Sequence, residues 1–210
     1  MDIEAIHAAL QERYHAWLAE HGAGSSRAVG WNDPGLQRLR FAILAEVMEG
    51  TEPVSVADFG CGTGALFAYL AMRSEPPPLG AYVGYDLAPE MIRAAGTLFD
   101  DPRARFEVGT EVTDDADYVL ASGALTIRPG VSDEDWAAHI RDVLRGLWRR
   151  ARRGLAFNLL SDEFEYPNPD VYRGGAEDWA QWCRRELPGA AVALMRQPEL
   201  DDFTVVARRT

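Results

Sequence analysis

Apolar positions along this chain change period once, near residue 54. Before it, Ile3, Ile6, Leu10, Tyr14, Trp17 and Leu18 recur at the three-to-four spacing of an amphipathic helix, until HGAGSS (21–26) breaks the pattern. Asp33-Pro34 then supplies an N-cap and a proline at the first helical position. Leu36, Leu39, Ile43, Leu44 and Val47 continue this second helix, and Gly50 closes it. Beyond residue 54, short apolar runs alternate with helical stretches. Strands are expected at 54–59, 81–86, 104–109, 117–122 and 154–160, with AVALMR (191–196) and DFTVVARR (202–209) closing the chain. Helices are expected at 64–73, at 89–99 and near 176–186. A longer helix starts at the capping box Ser132–Asp135 and runs to Arg153, with Gly154 as its stop.

Strands alternating with helices imply parallel βαβ units and a doubly wound α/β sheet. No internal repeat or long linker divides the chain, so one domain is expected, with residues 1–50 as a helical lid on a body formed by 51–210. Ligands of such sheets bind beyond the carboxyl ends of the strands.

Composition narrows the partners. The 210 residues carry a formal net charge of −12, which repels phosphate backbones and makes nucleic acid an unexpected partner. The basic stretch RGLWRRARRG (145–154) is explained by cations complementing a helix C-terminus. All 21 basic residues are arginine, which rules out lysine Schiff bases and lysine general bases and suits a GC-rich bacterial gene. Cys61 and Cys183 make no disulfide framework and lack metal-ligand spacing, so no metal is expected. The N-terminus carries early acids and does not resemble a secretory signal. No apolar run reaches the ~18 residues of a membrane span, so a cytoplasmic protein without membrane contacts is expected.

The richest chemistry lies in VADFGCGTGAL (56–66), where Gly60, Gly62 and Gly64 follow a short strand and precede a helix. Such a turn lets a ligand approach the backbone, and the helix start offers free amides. Dinucleotides, phosphates and S-adenosylmethionine can all use it, and Gly60-x-Gly62-x-x-Ala65 loosely satisfies the dinucleotide fingerprint. Asp58 tips the balance: a carboxylate two residues before the first glycine opposes a pyrophosphate but suits a cationic amino acid. Asp86, closing the next strand, would bind ribose hydroxyls in either case.

VADFGCGTG followed by VGYDLAPEMI resembles the first two signature motifs of class I S-adenosylmethionine (SAM)-dependent methyltransferases, and DYVLASGAL (117–125) resembles the family's fourth-strand motif. The resemblance spans most of residues 30–210. It implies a seven-stranded, mostly parallel sheet whose last strand is antiparallel, with EFEYPN (163–168) and DFTVVARR compatible with that ending, and the N-terminal helices lying over the cofactor mouth. Carried over by position, Gly60, Gly62 and Gly64 would approach the methionine and ribose portions, and Asp58 would orient the amino-acid end. Cys61 lies within the same turn, where a small side chain is needed. Asp86 would hold both ribose hydroxyls, and Leu87 and Met91 would flank the adenine. Glu111 would stand in for the acid that the family places after the third strand. Ser122 and Gly123 would flank the site of methyl transfer.

A sulfonium methyl is already electrophilic, so catalysis can rest on in-line alignment in a dry pocket, and only a protonated nucleophile needs a base. Candidate catalytic groups are Asn158, Asp162 and His21. Candidate substrate contacts are Tyr14, Trp31, Arg40, Gly123, Asn158 and Ser161. Each has a plainer account: aromatics such as Tyr14 and Trp17 pack the lid, His21 is solvated, strand-end polar groups bond locally, and His139 packs beside Trp136. The fourth-strand ASGAL lacks the Asn/Asp-Pro-Pro-aromatic turn of enzymes that methylate amino groups on bases or on glutamine. The expected activity is methyl transfer from SAM to a small-molecule acceptor by a monomer or homodimer. The alternatives are a non-methylating SAM enzyme that cyclises or cleaves the cofactor, a non-catalytic SAM-binding module, and an NAD-dependent oxidoreductase.

Overall fold

The alternation of apolar runs folds as a single mixed sheet with helices on both faces. The computed structural model describes residues 2–165 and 168–210. In chain order the elements are α1 (Ile3–His21), a 3-10 turn (Ser26–Val29), α2 (Pro34–Ala45), β1 (Val54–Phe59), α3 (Ala65–Met72), β2 (Leu79–Asp86), α4 (Pro89–Leu98), β3 (Ala104–Val108) and β4 (Ala116–Ala121). They are followed by α5 (Asp133–Arg150), β5 (Ala151–Ser161), β6 (Arg173–Gly174), α6 (Ala176–Glu186), β7 (Ala190–Arg196) and β8 (Asp202–Arg209). The sheet order is β3-β2-β1-β4-β5-β8-β7, with the two-residue β6 added parallel to the end of β5. β1 to β5 are parallel, and β8 runs antiparallel between β5 and β7. The order reverses between β1 and β4, the position where doubly wound sheets open a ligand crevice.

Strand alternation divides the core in two. Ala57, Val83, Tyr85, Val119, Ala121, Leu155 and Phe157 face α5 and α6 on one side, whereas Val54, Val56, Tyr82, Tyr118, Leu120 and Ala156 face α2 and α3 on the other. The helix starts are capped as their sequences specify. Asp33 accepts from the Gly35 and Leu36 N–H groups with Pro34 in the first turn, and Ser132 accepts from Asp135 N–H while its hydroxyl donates to the Asp135 carboxylate.

Several expectations change. α5 ends at Arg150 and passes into β5 at Ala151 with no loop, so Gly154 is a strand residue and not a helix stop. A Cβ there would lie 2.7 Å from Val47 Cγ2 and 3.0 Å from the Ala207 carbonyl oxygen; the glycine admits the α2–β1 connection against the sheet. α2 ends at Ala45, five residues before Gly50. Residues 163–165 of EFEYPN form no strand, and Tyr166 and Pro167 lie outside the described residues. The added strand is Arg173–Gly174, which brings the sheet to eight.

The crossover from β3 to β4, residues 109–115, carries no helix. α1 covers that face instead: Ile6 and Leu10 join Tyr85, Val112, Trp136 and Ile140 in one core. No helix of the described residues is long and apolar enough to cross a membrane.

Candidate active site

Gly60, Gly62 and Gly64 all have φ in the left-handed region, +74°, +53° and +83°, which side-chain-bearing residues rarely adopt. The turn is pinned to its neighbour strand, because the Gly60 and Cys61 N–H groups both donate to the Tyr85 carbonyl. Cys61 packs its sulfur over Gly84, where any larger residue would collide. Above the turn lies a cavity of about 810 Å³, walled by the carboxyl ends of β1, β2 and β4 and by the Gly109–Val112 segment after β3.

Two buried acids open on it. Asp58 is 2% exposed; its Oδ2 accepts from the Tyr82 hydroxyl at 2.5 Å, and its Oδ1 has no partner among the described residues. Burial pushes its carboxyl up to about 7, and the nearby Asp86 charge adds to the rise while the Tyr82 bond opposes it. Asp86 is oriented by two backbone N–H groups, Gly62 to Oδ2 at 2.8 Å and Ala88 to Oδ1 at 2.9 Å. Burial raises its pKa against the pull of those bonds. Each carboxylate oxygen retains acceptor capacity for a further hydroxyl.

The N-terminal segment closes the opposite wall. Val29 lies over Gly62 and Trp31 over Gly123, with Cγ1 and Cζ2 each 2.5 Å from where a Cβ would stand. α2 contributes Gln37 and Phe41, and α3 contributes Ala65 and Leu66. Gln37 is 6% exposed and lines the cavity. Further along, one stripe of α1 (Ile3, His7, Leu10, Tyr14) faces one stripe of α5 (Trp136, His139, Val143, Leu147), and the His139 and Trp136 rings meet at a tilt of 37° with centroids 4.8 Å apart. Burial lowers the pKa of both His7 and His139, and each histidine's charge would disfavour the other's.

Of the residues expected at the cofactor, Asp58, Gly60, Cys61, Gly62, Asp86, Leu87, Met91, Glu111 and Ser122 line this cavity. Gly64 does not: the place of its missing side chain is filled by Phe99 and Phe106. Tyr14, Trp31 and Gly123 line it among the expected substrate contacts, whereas Arg40, Asn158 and Ser161 do not. Arg40 and Asn158 are tied up in a buried network with Asp202. Ser161 accepts from the Glu163 N–H, and the exposed Asp162 donates its N–H to the Gly174 carbonyl. His21 ends α1 beside Glu20. None of the three expected catalytic groups therefore reaches the cavity. Gln37, not among the expected site residues, is buried on α2 one turn before Phe41 and lies off the apolar series Leu36, Leu39, Ile43, Leu44 and Val47, so no local signal marked it.

A family model described as a methyltransferase domain matches residues 57–154. A Mycobacterium tuberculosis protein described as a methyltransferase is 33% identical over 166 residues, covering 78% of this chain and 98% of that protein. The chain belongs to the class I methyltransferase family. Solved structures share the fold of this methyltransferase at low identity. One is a methyltransferase in complex with the Trm112 activator of Haloferax volcanii (TM-score 0.65, 19% identity, 93% and 96% of the two chains). Another is the magnesium protoporphyrin IX methyltransferase of Synechocystis with bound SAH (TM-score 0.62, 16% identity, 84% of each). Among the described residues, this methyltransferase gathers no group of three or more His, Cys, Asp or Glu able to hold a metal.

Proposed function

We propose that this methyltransferase moves the methyl group of SAM to a small-molecule acceptor. The observation that carries this is Asp58, a buried carboxylate that lines the cavity at the glycine turn and whose Oδ1 has no hydrogen-bond partner among the described residues. An unpaired buried acid is costly unless a cation completes it, and the ammonium of an amino-acid ligand is such a cation. A pyrophosphate at the same place would be repelled. Gln37, at the same end, offers an amide to the ligand's carboxylate. Asp86, held by backbone N–H groups, would accept both ribose hydroxyls, and Leu87 and Met91 would enclose the base.

Bound there, the cofactor supplies an activated sulfonium methyl. The protein's part is then alignment and the exclusion of water. Val29, Trp31, Phe41 and Leu66 provide apolar walls for that purpose. A small acceptor fits a cavity of about 810 Å³ roofed by the N-terminal segment, and the net charge of −12 disfavours a nucleic-acid substrate. The acceptor named for the Synechocystis neighbour, magnesium protoporphyrin IX, is of that class.

Titration calorimetry of the protein with SAM tests this, with NAD and the Asp86→Ala variant as controls. Micromolar SAM binding, lost in the variant and absent for NAD, is expected; NAD binding without SAM binding would overturn it. An acceptor screen that includes SAM alone then separates methyl transfer from cyclisation or cleavage of the cofactor.

A further inference from the structure

Five residues scattered over the chain close a ring beside the cavity. The Gly123 N–H donates to Asn158 Oδ1 at 2.8 Å, and Asn158 Nδ2 donates to Asp202 Oδ2 at 2.7 Å. Arg40 Nε donates to that same oxygen at 2.5 Å, and the Arg40 guanidinium lies 4.2 Å from the centre of the Trp31 ring. Trp31 returns to Gly123, pressed against it where a side chain would otherwise stand. Arg40, Asn158 and Asp202 are buried at 6%, 2% and 5% exposure, and only Trp31 and Gly123 open on the cavity.

Each member has the chemistry its link requires. Asn158 must accept from a backbone N–H and donate to a carboxylate at once, which an amide does and a carboxylate or hydroxyl does less well. Arg40 must present a donor at its edge and a flat face to an indole, a combination that lysine lacks. Gly123 has φ +69° and no space for a Cβ. On its other side Ala124 abuts Gly60, 2.4 Å from the position a Cβ would take, so the 123–124 turn is clamped between the glycine turn and Trp31.

We propose that Arg40, Asn158 and Asp202 are positioning residues, which set Trp31 and the Ser122–Gly123 turn at a fixed separation and so shape the cavity wall next to the reacting methyl. None of the three touches the cavity, so each acts through Trp31 or Gly123. The proposal rests on the SAM-binding reading above.

Calorimetric titration with SAH, together with thermal melting, tests it in wild type, Trp31→Leu, Asn158→Leu, the double variant and Arg40→Lys. Trp31 and Asn158 make no contact with each other in the ring, so independent sites would give multiplying losses. A coupled ring predicts about tenfold weaker SAH binding for each single variant and little further loss in the double, where independence predicts roughly a hundredfold. Arg40→Lys keeps a cation for Asp202 but loses the flat face over Trp31. It is expected to melt near wild type and still bind SAH about fivefold more weakly. SAH binding within twofold of wild type in Arg40→Lys overturns the proposal, as does a multiplicative double variant. Should Asn158→Leu fail to fold, Arg40→Lys decides alone. A wild-type protein that binds neither SAM nor SAH overturns the cofactor reading itself, an outcome distinct from failure of the ring.

Discussion

Asp58 and Asp202 are alike in almost every respect but one. Each is buried, each sits at the end of a strand, each leaves Oδ1 without a partner among the described residues, and burial pushes each carboxyl above its ordinary value. Asp202 comes with its cation: Arg40 at 2.5 Å, reinforced by Asn158. Asp58 accepts only a tyrosine hydroxyl among the described residues, and it lines the cavity. A buried ion pair completed within the protein serves the fold, whereas one left half-finished at a cavity marks where a ligand brings the missing charge.

The comparison breaks most visibly if the two acids are removed in turn. Asp202→Ala leaves the Arg40 guanidinium buried and uncompensated, and a loss of about 3–5 kcal/mol is expected. At this chain length that is a fall of roughly 10 °C in Tm, read by calorimetry or circular dichroism. Asp58→Asn is expected to do the reverse. It keeps a partner for the Tyr82 hydroxyl and removes a charge that burial disfavours, so Tm at pH 8 holds or rises. The sign follows from its raised pKa: wild-type stability falls as pH climbs from the unfolded carboxylate value toward about 7, a penalty asparagine escapes. SAM affinity, in contrast, should drop roughly 10- to 100-fold, the worth of a charged hydrogen bond. A large Tm loss in Asp58→Asn would erase the distinction between the two acids.

The asymmetry also explains what could be read from the sequence. Asp58, the glycine turn and Asp86 are legible because strand, turn and helix follow one another directly, so their relative positions are set locally. Asn158 and Arg40 are not. A position near the end of β5 places a residue at the right height in the sheet but leaves open whether the cavity or another buried group receives its side chain. Asp202, 44 residues further on, decides that for Asn158. Gly154 is the same lesson in a different form. Helix-stop chemistry is local, but the reason for this glycine is Val47, brought against it only by the finished fold. Gln37 lies off the apolar series of its helix, and its significance depends on a cavity that the series alone does not reveal.

The contrast between the two acids also depends on pH. With the Asp58 carboxyl near 7, the ionised form that a ligand ammonium prefers is mostly present at pH 8 and mostly absent at pH 6. SAM affinity should therefore fall about tenfold between those values. Methylthioadenosine lacks the amino-acid end, so its affinity should not follow that slope. Calorimetric titrations of both ligands at four or five pH values would reveal it, and equal slopes would separate Asp58 from the ammonium.

The smallest expected effect singles out the one bond that the Asp58 carboxylate makes among the described residues. Tyr82→Phe removes the hydroxyl donated to Oδ2 and leaves both carboxylate oxygens without a partner. That bond favours the ionised form, so its loss moves the carboxyl further up and carries the midpoint of SAM binding toward higher pH. The cost at pH 7 should be roughly threefold in affinity, shrinking toward nothing once the pH is high enough to ionise Asp58 in both proteins. Stability should change little, because the acid answers the lost donor by staying protonated and the phenylalanine ring fills the same space against Phe67 and Phe106. The corresponding change at Asp202, Asn158→Leu, has no such escape: the Arg40 cation still opposes protonation of that acid, and the Gly123 N–H is left without its acceptor. A Tyr82→Phe protein whose SAM binding keeps its pH midpoint would mean that Asp58 is ionised by something other than its tyrosine, and the contrast between the two acids would lose its electrostatic basis.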